Sequence, residues 1–238
     1  MSENPVAIVT GAGSGIGQAT AVLLAHNHHQ LVLVGRTEST LKKTAQMARA
    51  EKPDVEIKCI TKDVAHQESA DFIIHETINT FGHIDVLVNA AGTAPSKSVT
   101  DHDEETIRNT FEVNALGPAL LMIKCWPHWV KQKSGCMINI SSMSSIDPFP
   151  GFLAYGMSKS AMDGITRTAQ NEGAVHGIRS FSLNLGAVET AMLRSVFSEE
   201  LVPTSMTFKA EEIATEVLSC IQGDYDSQQG EQIVLVKS

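Results

Sequence analysis

Seven short apolar runs, separated by stretches with helical spacing, leave this chain little choice of architecture. The runs are Val6–Val9, Leu31–Val34, Glu56–Ile60, Val86–Val88, Met137–Ile140, Ser180–Leu183 and Gln232–Val236. Most are continuously apolar rather than alternating, the pattern of strands covered by helices on both faces. Between them, Gly15–His26, Ser39–Glu51, Gln67–Phe81, Glu104–Gln132, Ala154–His176 and Ala210–Gln222 carry helical periodicity. Strict alternation with right-handed crossovers predicts an α/β fold: a doubly wound, mostly parallel seven-stranded sheet with helices on both faces.

Residues 1–238 read as one domain, because no Pro/Gly/Ser-rich linker, repeat or low-complexity tract divides them. The segment from about Leu185 to Phe208 is irregular and follows the sixth strand. A long excursion at a strand's carboxyl end is where such sheets cover their ligands, so this segment is expected to be a lid. A net charge of −9 with no long basic run argues against nucleic acid or an anionic membrane surface as a partner. No run approaches the roughly 18–20 apolar residues that span a bilayer. The start at Met1–Asn4 carries no basic, apolar leader, and the four cysteines are scattered, so a reducing cytoplasmic setting is expected.

Thr10-Gly11-Ala12-Gly13-Ser14-Gly15-Ile16-Gly17 follows the first strand and opens the first helix. Glycines there let the backbone turn sharply and approach a pyrophosphate, which then rests on exposed helix N–H groups. The spacing is Gly-x-x-x-Gly-x-Gly, and no Lys-Ser/Thr follows as in a triphosphate P-loop. Nor is there a G-x-S-x-G elbow, which weakens a serine-hydrolase reading of Ser142.

Tyr155-Gly156-Met157-Ser158-Lys159 opens a later helix. Side chains four apart share a helical face, so the ammonium of Lys159 is expected beside the phenol of Tyr155, lowering its pKa. Such a tyrosine is a usable general acid or base. Ser142, at the end of the fifth strand, is placed to hold a carbonyl oxygen for it.

With these residues in hand the sequence resembles the short-chain dehydrogenase/reductase family, over nearly its whole length and with features of its 3-oxoacyl reductases. The resemblance rests on the glycine loop, Asp63-Val64, Asn89-Ala90-Ala91-Gly92, Val113-Asn114 and the Ser142, Tyr155, Lys159 set. It implies a Rossmann fold and a nicotinamide cofactor. It also implies hydride transfer to or from a small carbonyl or alcohol substrate, and no metal. The resemblance assigns catalysis to Asn114, Ser142, Tyr155 and Lys159, with Asn114 and Lys159 relaying the proton. Cofactor contacts would come from Gly11, Ser14, Gly15, Ile16, Gly17, Asp63, Val64, Asn89, Ala91 and Gly92, with Tyr155, Lys159, Gly186, Val188 and Thr190. A homodimer or homotetramer is likewise implied. Two departures stand out: Leu185-Gly186 where the family often has Pro-Gly, and a C-terminus without Asp-Gly-Gly.

The second strand ends Leu33-Val34-Gly35-Arg36-Thr37, without the carboxylate that grips a ribose 2′-hydroxyl. Arg36 and Thr37 suit a 2′-phosphate instead, so NADP(H) is expected in preference to NAD(H). Met192, Leu193, Val196, Phe197, Leu201, Met206 and Phe208 give the lid an apolar cast, with Met143, Phe149 and Phe152 nearby. A moderately apolar ketone is therefore expected, a 3-oxoacyl thioester among them. His26, His28 and His29 read as a solvated helix end, Asp101–Glu105 as a helix start, and Pro118 and Pro127 as bends. A cofactor-binding regulatory protein without turnover is the alternative from a different class.

Overall fold

The computed structural model describes residues 4–237. Its centre is a seven-stranded sheet formed by β1 (Val6–Thr10), β2 (Gln30–Gly35), β3 (Ile57–Thr61), β4 (Val86–Asn89), β5 (Gly135–Ser142), β6 (Ile178–Leu185) and β7 (Gln232–Leu235). The order across the sheet is β3-β2-β1-β4-β5-β6-β7, and every neighbouring pair is parallel. β1 lies at the middle, with Val9 opposite Leu33 on one side and Val88 on the other. The chain winds outward from β1 through β2 and β3, then returns to β4 on the opposite side. The switch point is therefore between β1 and β4, where the carboxyl ends of the strands leave a crevice.

Alternate strand residues feed two separate cores. Ala7, Val9, Leu31 and Leu33 face α1 (Gly15–His26), α2 (Glu38–Glu51) and α8 (Ala210–Gln222). Val6, Ile8, Val32 and Val34 face α3 (Gln67–Phe81), α5 (Gly117–Gln132) and α6 (Leu153–Gly173). A period of two with apolar residues at both phases is what a sheet covered on both faces requires. Trp129 is fully buried on α5 and donates its ring N–H to the Ile84 carbonyl at 3.1 Å, fixing that helix to the start of β4.

Two expectations needed correction. The stretch 104–132, read as one bent helix, is α4 (Glu104–Phe111), a turn of π-helix (Glu112–Leu116) and α5. The cause is Pro118: its ring clashes with the carbonyl four residues back, at Asn114, and it has no N–H to donate there. The backbone widens instead, and the N–H of Gly117 reaches back five residues to Glu112. Among the histidines, His29 is not solvated. It is buried, with Nδ1 3.0 Å from the Asn27 carbonyl, while exposed His26 lies 3.7 Å from Glu51. The acidic run does start a helix: Asp103 accepts from the Thr106 N–H at 2.6 Å. All four cysteines are unpaired, three of them buried.

After β6 the chain makes its excursion. It leaves through Val188, forms the short helix α7 (Ala191–Arg194), and returns at Phe208 beside Val188. The Glu189 N–H donates to the Phe208 carbonyl at 2.8 Å and the Phe208 N–H to the Ala187 carbonyl at 2.9 Å. Inside the loop, the Arg194 guanidinium forks onto the Glu189 carboxylate and also donates to the Val202 carbonyl at 2.9 Å. Among the described residues, no helix is long and apolar enough to cross a membrane.

Candidate active site

The glycine loop sits at the switch point, between β1 and α1, and space explains its composition. A Cβ on Gly17 would lie 2.4 Å from the Gly11 carbonyl oxygen, and one on Gly11 would lie 2.8 Å from the Ala90 oxygen and the Ala91 nitrogen. Gly11 and Gly15 also have positive φ, 64° and 51°. Ser14 precedes α1 in an extended conformation without capping the helix through its side chain. The N–H groups of the first turn are thereby left for an anion. Thr10 ties this loop to the end of β4, accepting from the Ala90 and Ala91 N–H groups at 3.1 Å each. The cradle fits a dinucleotide pyrophosphate.

The other residues assigned to the cofactor flank this point. Arg36 and Thr37 follow β2 and are exposed, and Asp63-Val64 follow β3, with Asp63 accepting from the Ala65 N–H at 3.0 Å. Asn89 is buried at the end of β4 and donates to Asn139 at 2.8 Å, while its own carbonyl oxygen has no partner. Thr190, from the excursion, lies over Gly15, with its methyl 3.2 Å from where a Cβ would be. Gly186 and Val188 stand at the excursion's root, the first donating its N–H to the Leu235 carbonyl at 2.8 Å.

The four residues assigned to catalysis converge across the crevice. Ser142 ends β5, with its hydroxyl accepting from the Ser144 N–H at 3.1 Å and hydrogen-bonded to the Tyr155 phenol. Tyr155 and Lys159 stand one turn apart on α6, the Lys159 nitrogen 5.7 Å from the phenol ring centroid. Asn114 reaches in from the π turn. Its amide accepts from the Thr93 N–H at 2.9 Å, and donates to the Thr93 carbonyl at 2.8 Å and to the Ser158 hydroxyl at 3.0 Å. A Cβ at Gly92 would come within 3.3 Å of Asn114 Oδ1 and 4.0 Å of Lys159 Nζ, which places Gly92 beside both side chains.

The electrostatics differ from the expectation in one respect. Burial raises the Tyr155 phenol above its ordinary value, with the Ser142 hydrogen bond opposing. Lys159 does not yet lower it, because its ammonium is engaged elsewhere, donating to the Ile140 carbonyl at 2.6 Å. Burial lowers the ammonium itself to about 8, against an upward pull from Asp163.

Two neighbours carry no signal in the sequence, whereas Phe149, Phe152, Phe197 and Met192 are already expected near the site or on the lid. Thr93 and Ser158 hold Asn114 in place, and no local pattern marks either. Phe152 is buried, stacks on Phe197 of the excursion at 5.7 Å between centroids, and meets the Tyr155 ring edge-on at 6.0 Å. This trio forms one wall. Ile146, Phe149 and Met192 are each more than 40% exposed and lie on the segments that flank it.

Comparison with known proteins identifies the family and the fold. The family model for short chain dehydrogenases matches residues 5–201. An uncharacterized oxidoreductase of Staphylococcus epidermidis is 36% identical over 190 residues, covering 80% of either chain. Among solved structures, the NADPH-dependent reductase YwfH of bacilysin biosynthesis superposes with a TM-score of 0.91 at 21% identity, covering 98% of this chain and 97% of that one. NAD+-bound xylitol dehydrogenase superposes at 0.88 with 23% identity, covering 99% and 98%. At these identities the two structures speak for the fold alone, while the family match and the staphylococcal relative speak for descent: the chain belongs to the short-chain dehydrogenase family and is an NAD(P)-dependent oxidoreductase.

Proposed function

We propose that the protein is an NADP(H)-dependent carbonyl reductase or alcohol dehydrogenase working through Ser142, Tyr155 and Lys159, with Asn114 in the proton relay. The observation that carries this reading is the convergence of those four side chains at the carboxyl ends of β4 and β5, beside the glycine cradle. The residues placed to hold the dinucleotide are those of the cradle (Gly11, Ser14, Gly15, Ile16, Gly17) and those around it. These are Arg36 and Thr37, Asp63 and Val64, Asn89, Ala91 and Gly92, and Gly186, Val188 and Thr190. When bound, the nicotinamide supplies or accepts the hydride.

The chain's own residues handle the oxygen and its proton. Ser142 hydrogen-bonds the substrate oxygen, and Tyr155 donates its phenolic proton to it. A phenol raised by burial is protonated at neutral pH, which is the state ketone reduction starts from. Lys159 turns its ammonium toward the ribose hydroxyls and the phenol, stabilising the phenolate as it forms. Asn114, held by Thr93 and Ser158, orders the water that resupplies the proton.

Preference for NADP(H) is supported by Arg36, exposed at the end of β2, with no acidic side chain beside it on that strand. The Phe152–Phe197 wall, with Phe149 and Met192 beside it, favours a moderately apolar ketone, such as a 3-oxoacyl thioester. Residues 185–208 act as the lid of a single-domain enzyme. The half-exposed groove of about 620 Å3 lined by Ile107, Phe111, Leu116 and Met157 suits a second copy of the chain, as in a homodimer or homotetramer. The acidic surface and scattered thiols suit a cytoplasmic enzyme with no nucleic-acid or membrane partner.

The test is oxidation of NADPH and NADH against ketones, aldehydes and 3-oxoacyl thioesters, with Tyr155→Phe as control. Removing the phenolic proton is expected to cost about 10²–10⁴-fold in turnover while cofactor binding persists. Tight NADPH binding without turnover of any substrate would replace this reading with the regulatory one.

A further inference from the structure

Beneath the catalytic centre the face of the sheet that meets α6 is polar, unlike either apolar core. Asp163 lies at its middle, one helical turn beyond Lys159, and is 1% exposed. The Ser182 hydroxyl donates to one carboxylate oxygen at 2.6 Å; the Asn184 amide, at 3.0 Å, and the Gln232 amide donate to the other. The Ser141 and Ser145 hydroxyls also bear on it. Burial alone would raise this carboxyl, but its donors bring it below its ordinary value, so it is ionised at neutral pH. Every one of those donors is neutral. An anion buried without a cation partner is costly, and it is tolerated when a charge elsewhere requires it.

That charge is on Lys159. Lys159 is 4% exposed, and its ammonium donates to the Ile140 carbonyl and the Met162 sulfur, both neutral. Asp163 is the charged group that acts on it, across the turn of α6 rather than in direct contact. The elements facing the pair contribute Ser141, Ser182, Asn184 and Gln232, none of them titratable; on α6 itself the other titratable neighbour is Tyr155. Asn184 extends the arrangement to the catalytic serine, because its amide spans Asp163, the Ser145 hydroxyl at 2.8 Å and the Ser142 carbonyl at 3.3 Å.

We propose that Asp163, held ionised by Ser182, Asn184 and Gln232, is a positioning residue whose buried negative charge keeps Lys159 protonated at the catalytic centre. It acts on the lysine through space, and through Asn184 it fixes the end of β5 that carries Ser142. This rests on the reading of Lys159 given above, but its central claim concerns the charge of one lysine and is testable without substrate or cofactor.

The experiment is NMR titration of lysine 13Cε-labelled protein free of cofactor, with the Lys159 resonance identified by its loss in Lys159→Met. Asp163→Asn removes the charge and is expected to move the Lys159 midpoint down by about one pH unit or more. Asp163→Glu keeps the charge while disturbing packing more, and is expected to restore most of the midpoint. Ser182→Ala removes a donor but not the charge, and is expected to shift it far less than Asp163→Asn. If the asparagine amide crowds its three donors and the variant does not fold, Asp163→Thr offers a smaller neutral replacement. A Lys159 midpoint unchanged in a folded neutral variant overturns the proposal, whatever the turnover assays show. In those assays, the high-pH limb of kcat/KM for ketone reduction is expected to move down by the same amount as the midpoint. A wild type without turnover would sink the catalytic reading while leaving the NMR result to stand.

Discussion

Replacing Gly17 by alanine sets two physical effects against each other, and the structure says which wins. Gly17 lies inside the first turn of α1, where alanine normally gains about 0.5–1 kcal/mol over glycine. Its Cβ, however, would sit 2.4 Å from the Gly11 carbonyl oxygen, 2.7 Å from the Gly11 carbonyl carbon and 3.0 Å from the Thr10 oxygen. All three are backbone atoms of a loop that cannot swing aside like a side chain. Gly11 in turn is pressed against Ala90 and Ala91. Overpacking costs about 1–3 kcal/mol, and approach to three backbone atoms puts this case at about 2–3 kcal/mol, leaving a net loss of about 1–2 kcal/mol. For a chain of this size that is a fall in Tm of about 2–8 °C. The larger consequence is functional. Moving Gly11 away from Gly17 distorts the cradle, so NADPH affinity is expected to fall by at least about tenfold, a further 1.4 kcal/mol. Thermal unfolding with and without NADPH, and quenching of protein fluorescence by NADPH, measure both quantities. A Gly17→Ala protein that melts no lower than the parent and binds NADPH equally well would refute the argument that backbone contact sets this position.

Two further outcomes are expected. Arg36→Ala should raise KM for NADPH far more than KM for NADH in steady-state assays, because the proposed reading gives this exposed side chain the 2′-phosphate as its partner; equal effects would remove the basis for NADP(H) preference. His29→Asn should lessen acid destabilisation. Burial holds the imidazole pKa below its unfolded value, so the folded state prefers it neutral. That contribution is present above about pH 6.5 and is lost as pH falls through the depressed folded value. The drop in Tm between about pH 7 and about pH 5 should be smaller in the variant, and an unchanged drop would show that His29 does not couple to folding.

The alternation of apolar runs with helical spacing was enough to read seven strands and the parallel sheet, because each strand is covered on both faces. Strand lengths were harder. β5 was read as Met137–Ile140 and extends over Gly135–Ser142; β6 was read as Ser180–Leu183 and extends over Ile178–Leu185. An apolar-run criterion stops at Ser141, Ser142 and Asn184. Those residues remain in the strands because their polar groups find partners on α6 and around its start, far away in sequence. The same blindness hid Asp163. On a helix, an aspartate four places beyond a lysine reads as a surface ion pair, and nothing local says that both are buried. The π turn at 112–116 was closer to legible, since Pro118 is in plain view and its clash falls on Asn114. What the sequence does not show is how the strain is relieved, by widening the helix rather than bending it. The residues proposed for catalysis stand out in the sequence because the chemistry assigned to them demands fixed residue types. Phe152 and Phe197 stand out by their apolar character, but their stacking into one wall does not, because aromatic contacts between a helix start and a loop leave no periodic trace.

The neck formed where Val188 meets Phe208 has a consequence for engineering. Both ends of the excursion are pinned side by side by their own backbone hydrogen bonds, three residues beyond the end of β6 at Leu185. The stretch between Thr190, which lies over Gly15, and Phe208 can be exchanged, shortened or lengthened while the two ends stay anchored. Doubling such a loop costs only about 0.6 kcal/mol of closure entropy. A library of grafted excursions on this one chassis would therefore vary the entrance to the crevice while the sheet, α6 and the glycine cradle stay fixed. With the excursion acting as the proposed lid, selectivity and scaffold would be separable parts of this chain.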